Sequence, residues 1–87
     1  MKRVAVTGLG VISPVGNDVP TFWNALCSGT CGIGPITKFD ATDYPVKLAA
    51  EVRDFDPKQY MEKLDILHSD IYTHFAMAAA CQAVADS

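Results

Sequence analysis

An alanine-rich segment near the end of the sequence, THFAMAAACQAVA at residues 73–85, sets the strongest limit on the fold. Seven of its thirteen residues are small, and Asp70 stands just before it as a helix cap. The pattern predicts a helix from Asp70 to about Ala85. Because small side chains let a helix backbone approach its neighbours closely, we expect this helix inside a larger body and not at its surface.

The first half of the sequence predicts one strand and one helix. Residues 3–7, RVAVT, form a short apolar run that stops at Gly8, which is typical of a strand covered on both faces. Asp18 is a good N-cap for a short helix over PTFWNALCSG. Pro20 is tolerated in the first turn, and Gly29 is placed to form the left-handed turn at the end.

The middle of the sequence predicts a loop, a second strand and a short helix. Residues 31–45 are rich in Gly, Pro, Thr and Asp, so a connecting loop is expected. Residues 46–52 alternate between apolar and other positions, which predicts a half-buried strand with Val46, Leu48, Ala50 and Val52 on one face. Asp56 then caps a short helix from Pro57 to about Met61.

The predicted order of strand, helix, strand, helix and helix indicates an α/β fold. Two strands and one internal helix cannot bury one another's apolar faces well. The sequence also stops at residues 83–87, where a helix would hand over to another strand. We therefore expect the 87 residues to be an incomplete part of a larger fold, with no second domain.

Composition excludes several classes of function. Seven basic and ten acidic residues give a net charge of −3, and no basic run supplies the attraction that nucleic-acid binding needs. No stretch reaches the roughly 18 consecutive apolar residues of a membrane span. The basic start and apolar stretch of residues 1–16 are interrupted by Thr7, Ser13 and Pro14, which disfavours a secretion signal. A cytoplasmic protein is expected.

The chemically reactive side chains form no pattern that selects a site. Cys27, Cys31 and Cys81 are an odd number, and the CSGTC spacing lacks the further ligands that zinc requires, so reduced thiols are expected. His68 and His74 lie six residues apart and would face different directions on a helix, with no cysteine nearby to activate. Four aspartates are interpreted as turn and cap residues: Asp40, Asp43, Asp54 and Asp56.

The TGLG motif of residues 7–10 is the most tempting ligand-binding pattern. A dinucleotide fingerprint needs a third glycine or alanine three residues after Gly10, followed by a helix. Ser13 and Pro14 occupy those positions instead. The glycines are therefore interpreted as allowing a tight, closely packed exit from a strand, and no cofactor is expected.

The ordered set of motifs resembles the start of type II β-ketoacyl-acyl-carrier-protein synthases. The matching pieces are TGLG, an S-P-x-G-N segment, a helix with F-W-x-x-L, a loop through Ile33, Ile36, Phe39 and Asp40, and KLAAEV leading into DFDP. The resemblance covers residues 3–61 and resumes at residues 73–84. It implies the N-terminal part of a thiolase-like fold, in which a mixed sheet is packed by helices in each of two related halves.

The resemblance also implies an activity and partners for the parent protein. Such synthases carry an acyl chain on a cysteine and condense it, with loss of carbon dioxide, with malonyl-acyl carrier protein. They act as homodimers and dock an acidic acyl carrier protein. Their catalytic cysteine and two histidines lie downstream of every residue present here. No catalytic, cofactor or metal residue is therefore assigned in this chain.

One stretch, EKLDILHSDIY at residues 62–72, departs from the family pattern. The family has basic side chains at four positions of this stretch, where this chain has Leu64, Leu67, His68 and Ile71. Asp70 is kept, and Lys63 is the remaining strong positive charge. Because charge complementarity sets encounter rate and partner choice, the usual carrier-protein contact is in doubt. Alternatives are a different carrier or partner subunit, or docking through another face.

Three interpretations of function remain open at this stage. The first is a segment of a fatty-acid elongation enzyme, and the second is a segment of a polyketide-type ketosynthase. The third is a non-catalytic partner subunit or scaffold module with the same fold.

Overall fold

The computed structural model describes residues 2–87. Its helices are α1 (Val19–Cys27), α2 (Lys63–Leu67) and α3 (Ile71–Asp86), with a 3₁₀ helix at Pro57–Gln59. Two short strands, β1 (Ile33–Pro35) and β2 (Leu48–Ala50), pair antiparallel. Ile33 lies opposite Ala50 and Pro35 opposite Leu48.

Helix α1 begins and ends as its sequence predicts. The backbone N–H of Thr21 donates to Asp18 Oδ1 over 2.8 Å, and Pro20 lies in the first turn. Gly29 follows the last turn with φ +71°, the left-handed conformation in which glycine carries no steric cost. The Asp18 cap and the Gly29 turn are therefore confirmed.

Helix α3 confirms the long helix expected after Asp70. It runs from Ile71 to Asp86, and Asp70 occupies the N-cap position without a side-chain hydrogen bond to the helix. Within residues 2–87, no helix is both long and apolar enough to cross a membrane.

The strand predicted over residues 3–7 is wrong for this chain. The segment forms no strand ladder, and Val4 and Val6 are 92% and 78% exposed. Residues 3–7 have the side chains of a buried strand, but no other described segment pairs with their backbone. A strand needs a hydrogen-bonded neighbour, and local sequence cannot provide one.

The second predicted strand is present but shorter, and its exposure differs from the prediction. Strand β2 covers only Leu48–Ala50, with Leu48 and Ala50 exposed and Ala49 half-buried. Its partner β1 lies within residues 31–45, which were expected to be a loop. A two-stranded ribbon has no layer packed against it here, so the face that was expected to be buried remains open.

The predicted helix after Asp56 is a single 3₁₀ turn. Asp56 accepts a hydrogen bond from the Lys58 backbone N–H over 3.0 Å, so its role as a cap is confirmed. Helix α2 was not predicted. It begins four residues after the 3₁₀ helix ends and packs against it.

The glycines of TGLG pack the N-terminal segment directly on helix α3. A Cβ atom at Gly8 would lie 2.2 Å from the Ala83 carbonyl oxygen, and one at Gly10 would lie 2.0 Å from that of Ala79. Both distances are far below van der Waals contact. The TGLG glycines were expected to pack closely, and so was the alanine-rich helix. The structure shows that they pack closely against each other.

The hydrophobic core is very small. Ala78 is the only buried apolar residue among those described, and His74 is the only buried polar one. The radius of gyration is 15.7 Å, whereas a compact domain of this length has about 12 Å. The helices and strands are formed, but most of their apolar faces have no partner among the described residues.

Candidate functional site

Two backbone amides of the glycine-rich turn, those of Leu9 and of Val11 directly after TGLG, are occupied by side chains of helix α3. Leu9 N–H donates to Asp86 Oδ2 and Val11 N–H donates to Gln82 Oε1, each over 3.0 Å. In a dinucleotide site, the amides of the glycine-rich turn point toward the pyrophosphate. Here two of them are used to attach the N-terminal segment to the last helix.

Gln82 connects three separate parts of the chain. Its Oε1 accepts from Val11 N–H, while its Nε2 donates to the Asn17 carbonyl over 2.6 Å and to the Tyr60 hydroxyl over 3.1 Å. Sequence reasoning missed this residue. A glutamine among alanines gives no local signal, because its partners lie 22 to 71 residues away.

Residues 13–17 form a tight turn next to this connection. Ser13 and Gly16 exchange two backbone hydrogen bonds of 2.9 and 3.3 Å, and the Ser13 hydroxyl also donates to the Gly16 carbonyl. Asn17 Nδ2 donates to the Arg53 carbonyl over 2.7 Å, which attaches the turn to the segment that follows β2. The S-P-x-G-N motif therefore has a structural role, because it forms a turn and connects that turn to another segment.

The two histidines occupy different environments and do not meet a cysteine. His68 is exposed at the C-cap of α2. His74 is buried, and its Nε2 lies 3.2 Å from the Ile66 carbonyl and 3.1 Å from Ser69 Oγ. The structure places His74 at a packed position on helix α3.

The hydrogen bonds around His74 show that its Nε2 carries a hydrogen. The Ile66 carbonyl can only accept, and the Ser69 hydroxyl already donates to the Asp65 carbonyl. Nε2 must therefore carry the hydrogen and share it between Ile66 and Ser69. Since Ile66 belongs to the last turn of α2, His74 supplies a partner for a carbonyl that the helix itself leaves unpaired.

The carboxylates and thiols are scattered as the sequence suggests. Asp40 accepts from the Thr42 hydroxyl and backbone N–H, and these bonds lower the pKa of the exposed Asp40 carboxyl. Asp54 adopts a left-handed backbone with φ +55°. Cys27, Cys31 and Cys81 are free and exposed, and no described group of three His, Cys, Asp or Glu residues is arranged to hold a metal ion.

The stretch that departs from the family pattern forms an exposed corner between α2 and α3. Leu64 and Leu67 are each 68% exposed, and Ile71 and Tyr72 are exposed at the start of α3. Lys63 and Asp70 lie at the N-terminal ends of the two helices. Leu67, His68 and Tyr72 line one surface depression, whereas Ile71 lines another with Phe55 and His74.

Comparisons with known proteins identify the family. A family model described as the N-terminal domain of β-ketoacyl synthases matches residues 1–87. The chain belongs to this family.

Several β-ketoacyl synthases match nearly the whole chain. The chain is 50% identical over 86 residues to 3-oxoacyl-[acyl-carrier-protein] synthase 2 of Coxiella burnetii and 45% identical to the protein of that name from Synechocystis. Each alignment covers 99% of this chain and 21% of the relative. The chain therefore spans about a fifth of the length of these relatives.

A solved structure confirms the fold. The ishigamide ketosynthase/chain length factor superposes with a TM-score of 0.84 at 36% identity, covering 93% of this chain and 20% of that one. The thiolase-like fold that the motifs implied is thus confirmed, as an N-terminal portion in which a two-stranded ribbon and helices are formed.

Proposed function

We propose that this chain is the N-terminal part of a β-ketoacyl-acyl-carrier-protein synthase that elongates fatty acids. The observation that carries the proposal is the identity of 41–50% to proteins named 3-oxoacyl-[acyl-carrier-protein] synthase 2 over 86 of the 87 residues. Relatives this similar across every described element are the strongest support for a shared reaction.

The proposed reaction is a decarboxylative condensation. An acyl group moves from its carrier thioester to a cysteine thiolate, and the carrier thiol leaves. Malonyl-acyl carrier protein then loses carbon dioxide, and the resulting carbanion attacks the acyl-enzyme to give a β-ketoacyl product and the free cysteine. We place the cysteine and its histidines outside these 87 residues, because no described thiol lies beside a base.

The proposed role of these 87 residues is structural: their contacts stabilise the fold. Gly8 and Gly10 allow the N-terminal segment to lie on α3, and Gln82 fastens that segment to the Tyr60 region. Together these contacts connect both ends of the chain.

Acyl carrier protein and malonyl-acyl carrier protein are the proposed partners, and the names of the relatives support a carrier-dependent enzyme. A homodimer in the cytoplasm is proposed from the family alone.

The first experiment tests whether these residues take part in the chemistry. The full-length protein is assayed for carbon dioxide release with acyl-carrier and malonyl-carrier substrates, as parent and with Cys27, Cys31 and Cys81 all replaced by Ser. We expect equal turnover, since the three exposed thiols have no partner base. Loss of the acyl-enzyme in the triple variant, at unchanged melting temperature, would contradict the proposal.

Two related functions are distinguished by the products. The ketosynthase neighbour in the solved structures favours a polyketide-type ketosynthase as the second candidate. Without a reductase, a fatty-acid enzyme should stop after one extension, whereas a polyketide-type enzyme should extend repeatedly. A partner subunit should be inactive alone and active only when mixed with a competent synthase.

Residues 62–72 lack most of the basic side chains of the family pattern, which leads to a separate expectation about how an acyl carrier protein docks. With a standard acidic carrier protein, turnover of the full-length enzyme should depend weakly on salt, because Lys63 alone supplies strong positive charge along residues 62–72. The measurement is kcat/KM over a range of salt concentrations. Strong slowing by salt would show that docking has kept its electrostatic component.

A further inference from the structure

Residues 60–69, which include α2, are attached to α3 at two separate places. Near one end, the Tyr60 hydroxyl accepts a hydrogen bond from Gln82 Nε2 over 3.1 Å. Near the other end, His74 Nε2 lies 3.2 Å from the Ile66 carbonyl oxygen. The two α3 side chains are eight residues apart, which is about 12 Å along the helix axis. We call residues 60–69 the strap.

The Tyr60 end of the strap is held by aromatic packing as well as by hydrogen bonds. The Tyr60 ring stacks on Phe55 with 6.2 Å between the ring centroids and 8° between the planes. Phe55 in turn meets Phe75 of α3 edge to face at 5.1 Å. The backbone N–H groups of Tyr60 and Met61 both donate to the Pro57 carbonyl. Because aromatic pairs add to the stability that burial gives, this end of the strap is firmly attached.

The His74 end of the strap is held less firmly. One nitrogen of His74 shares a single hydrogen between two acceptors, the Ile66 carbonyl and Ser69 Oγ. In the described part of the chain, no other hydrogen bond joins residues 62–69 to α3. Helix α2 has five residues, none of them buried, and its N-cap residue makes no side-chain hydrogen bond to it. A helix this short is unstable alone, and one hydrogen bond contributes little net stability, so this end releases first.

A depression separates the middle of the strap from α3. Met61, Asp65 and Ser69 line its strap side, and Thr73 and Met77 line its α3 side. Since no residue of α2 is buried, little apolar contact among the described residues opposes a movement of α2 away from α3.

We propose that the strap opens from α3 as one unit, with the His74 contacts as its latch and the Tyr60 end as its hinge. Opening leaves the Ile66 carbonyl without its partner and moves α2, while the Gln82 contacts that hold the N-terminal segment stay in place. The chain can therefore change the position of α2 without loosening the packing of TGLG on α3. The proposal does not depend on the condensation activity.

Native-state hydrogen exchange of the full-length protein, measured amide by amide, tests the opening. The amides of Ile66 and His68 are bonded within α2 to the carbonyls of Glu62 and Leu64. Both should exchange through the same opening, with protection factors within about threefold of each other. The Met61 amide belongs to the hinge and should be at least about tenfold more protected than either.

Matched variants separate the latch from the hinge. His74→Phe should lower the protection of the Ile66 and His68 amides by the same factor, about fivefold to tenfold, because both depend on the latch. His74→Gln should restore most of this protection, since an amide N–H can donate to the Ile66 carbonyl. Tyr60→Phe removes the hydroxyl and keeps the stacked ring, so it should change the protection of these two amides by less than about twofold.

Three results would overturn the proposal. One is a difference of more than about threefold between Ile66 and His68, because α2 would then fray from one end and not open as a unit. Another is loss of Met61 protection together with theirs, which would exclude a hinge at Tyr60. The third is protection of Ile66 and His68 equal to that of amides in the middle of α3, because the strap would then be fixed in the full-length protein.

Discussion

Gly10 and Gly29 require glycine for opposite reasons. A Cβ at Gly10 would collide with the Ala79 carbonyl and lie 2.8 Å from Gln82 Cβ, whereas a Cβ at Gly29 would meet nothing within 4 Å. Gly29 instead has φ +71°, a backbone conformation that side chains disfavour. One position is limited by space and the other by backbone geometry.

Gly10→Ala should therefore be the more damaging change. We expect a loss of about 3 kcal/mol or more in unfolding free energy, because a helix backbone has to move. Gly29→Ala should cost about 1–2 kcal/mol and Gly29→Asn less, since Asn tolerates the left-handed region. Urea midpoints of the full-length protein measure both. Equal losses at the two positions would contradict the contact between Gly10 and α3.

Asp18 links the stability of α1 to pH. The Thr21 backbone N–H, and secondarily the Thr21 side chain, hold the pKa of the Asp18 carboxyl below its ordinary value of 3.8. A lowered pKa in the folded state means that the stabilisation is present above the ordinary value and is lost as pH falls through the folded one.

Replacing Asp18 by Ala should destabilise the protein by about 1 kcal/mol at neutral pH, because the helix loses its cap. Asp18→Asn should lose little, since Asn also caps. The Ala deficit should narrow only below about pH 4, where the Asp carboxylate becomes protonated. Melting temperatures of the three proteins across pH test this, and a deficit independent of pH down to acid unfolding would argue against it.

Helix α2 depends on helix α3 for its last turn. Five residues are too few for an independent helix, and the contact from His74 to Ile66 gives α2 an anchor. The position of α2 against α3 therefore depends on this contact.

His74→Phe should therefore release α2 without unfolding α3. The variant leaves the Ile66 carbonyl without its partner, so the amide of His68 should exchange its hydrogen faster in the full-length protein. His74→Gln is the control, because an amide can donate to the same carbonyl. Unchanged exchange in the Phe variant would show that α2 is held by other contacts.

Local signals made several elements predictable from sequence, and distant partners made others unpredictable. Asp18, Asp56 and Gly29 act within four residues of their own position, so the sequence places them well. Residues 3–7 have the composition of a strand, but pairing depends on another segment. Gln82 acquires its contacts only when segments 22 to 71 residues away meet it, and His74 contacts Ile66 only when α2 lies against α3.

The solvent-accessible surface area of the molecule is larger than that of a compact protein of the same mass. Its accessible area is 6855 Å², compared with about 5,000 Å² for a compact monomer of this mass. Sixteen large apolar residues are exposed among those described, from Val4 to Val84. Few apolar contacts among the described residues are therefore available to stabilise these elements.

The isolated 87-residue chain should consequently fail to fold cooperatively. We expect partial helix by circular dichroism, a broad thermal transition and a hydrodynamic size above that of a compact monomer, or aggregation. Gel filtration and calorimetry measure these properties. A sharp melt of a compact monomer would instead support a standalone module.

The long-range hydrogen bonds of Gln82 have a consequence during protein synthesis. Val11 cannot reach its partner until 71 further residues have been made, which takes roughly 4 to 14 s at bacterial or eukaryotic translation rates. Throughout that interval the backbone amides of Leu9 and Val11 lack the side-chain acceptors that α3 supplies, so the TGLG segment cannot take its final place before the last part of the chain has been made.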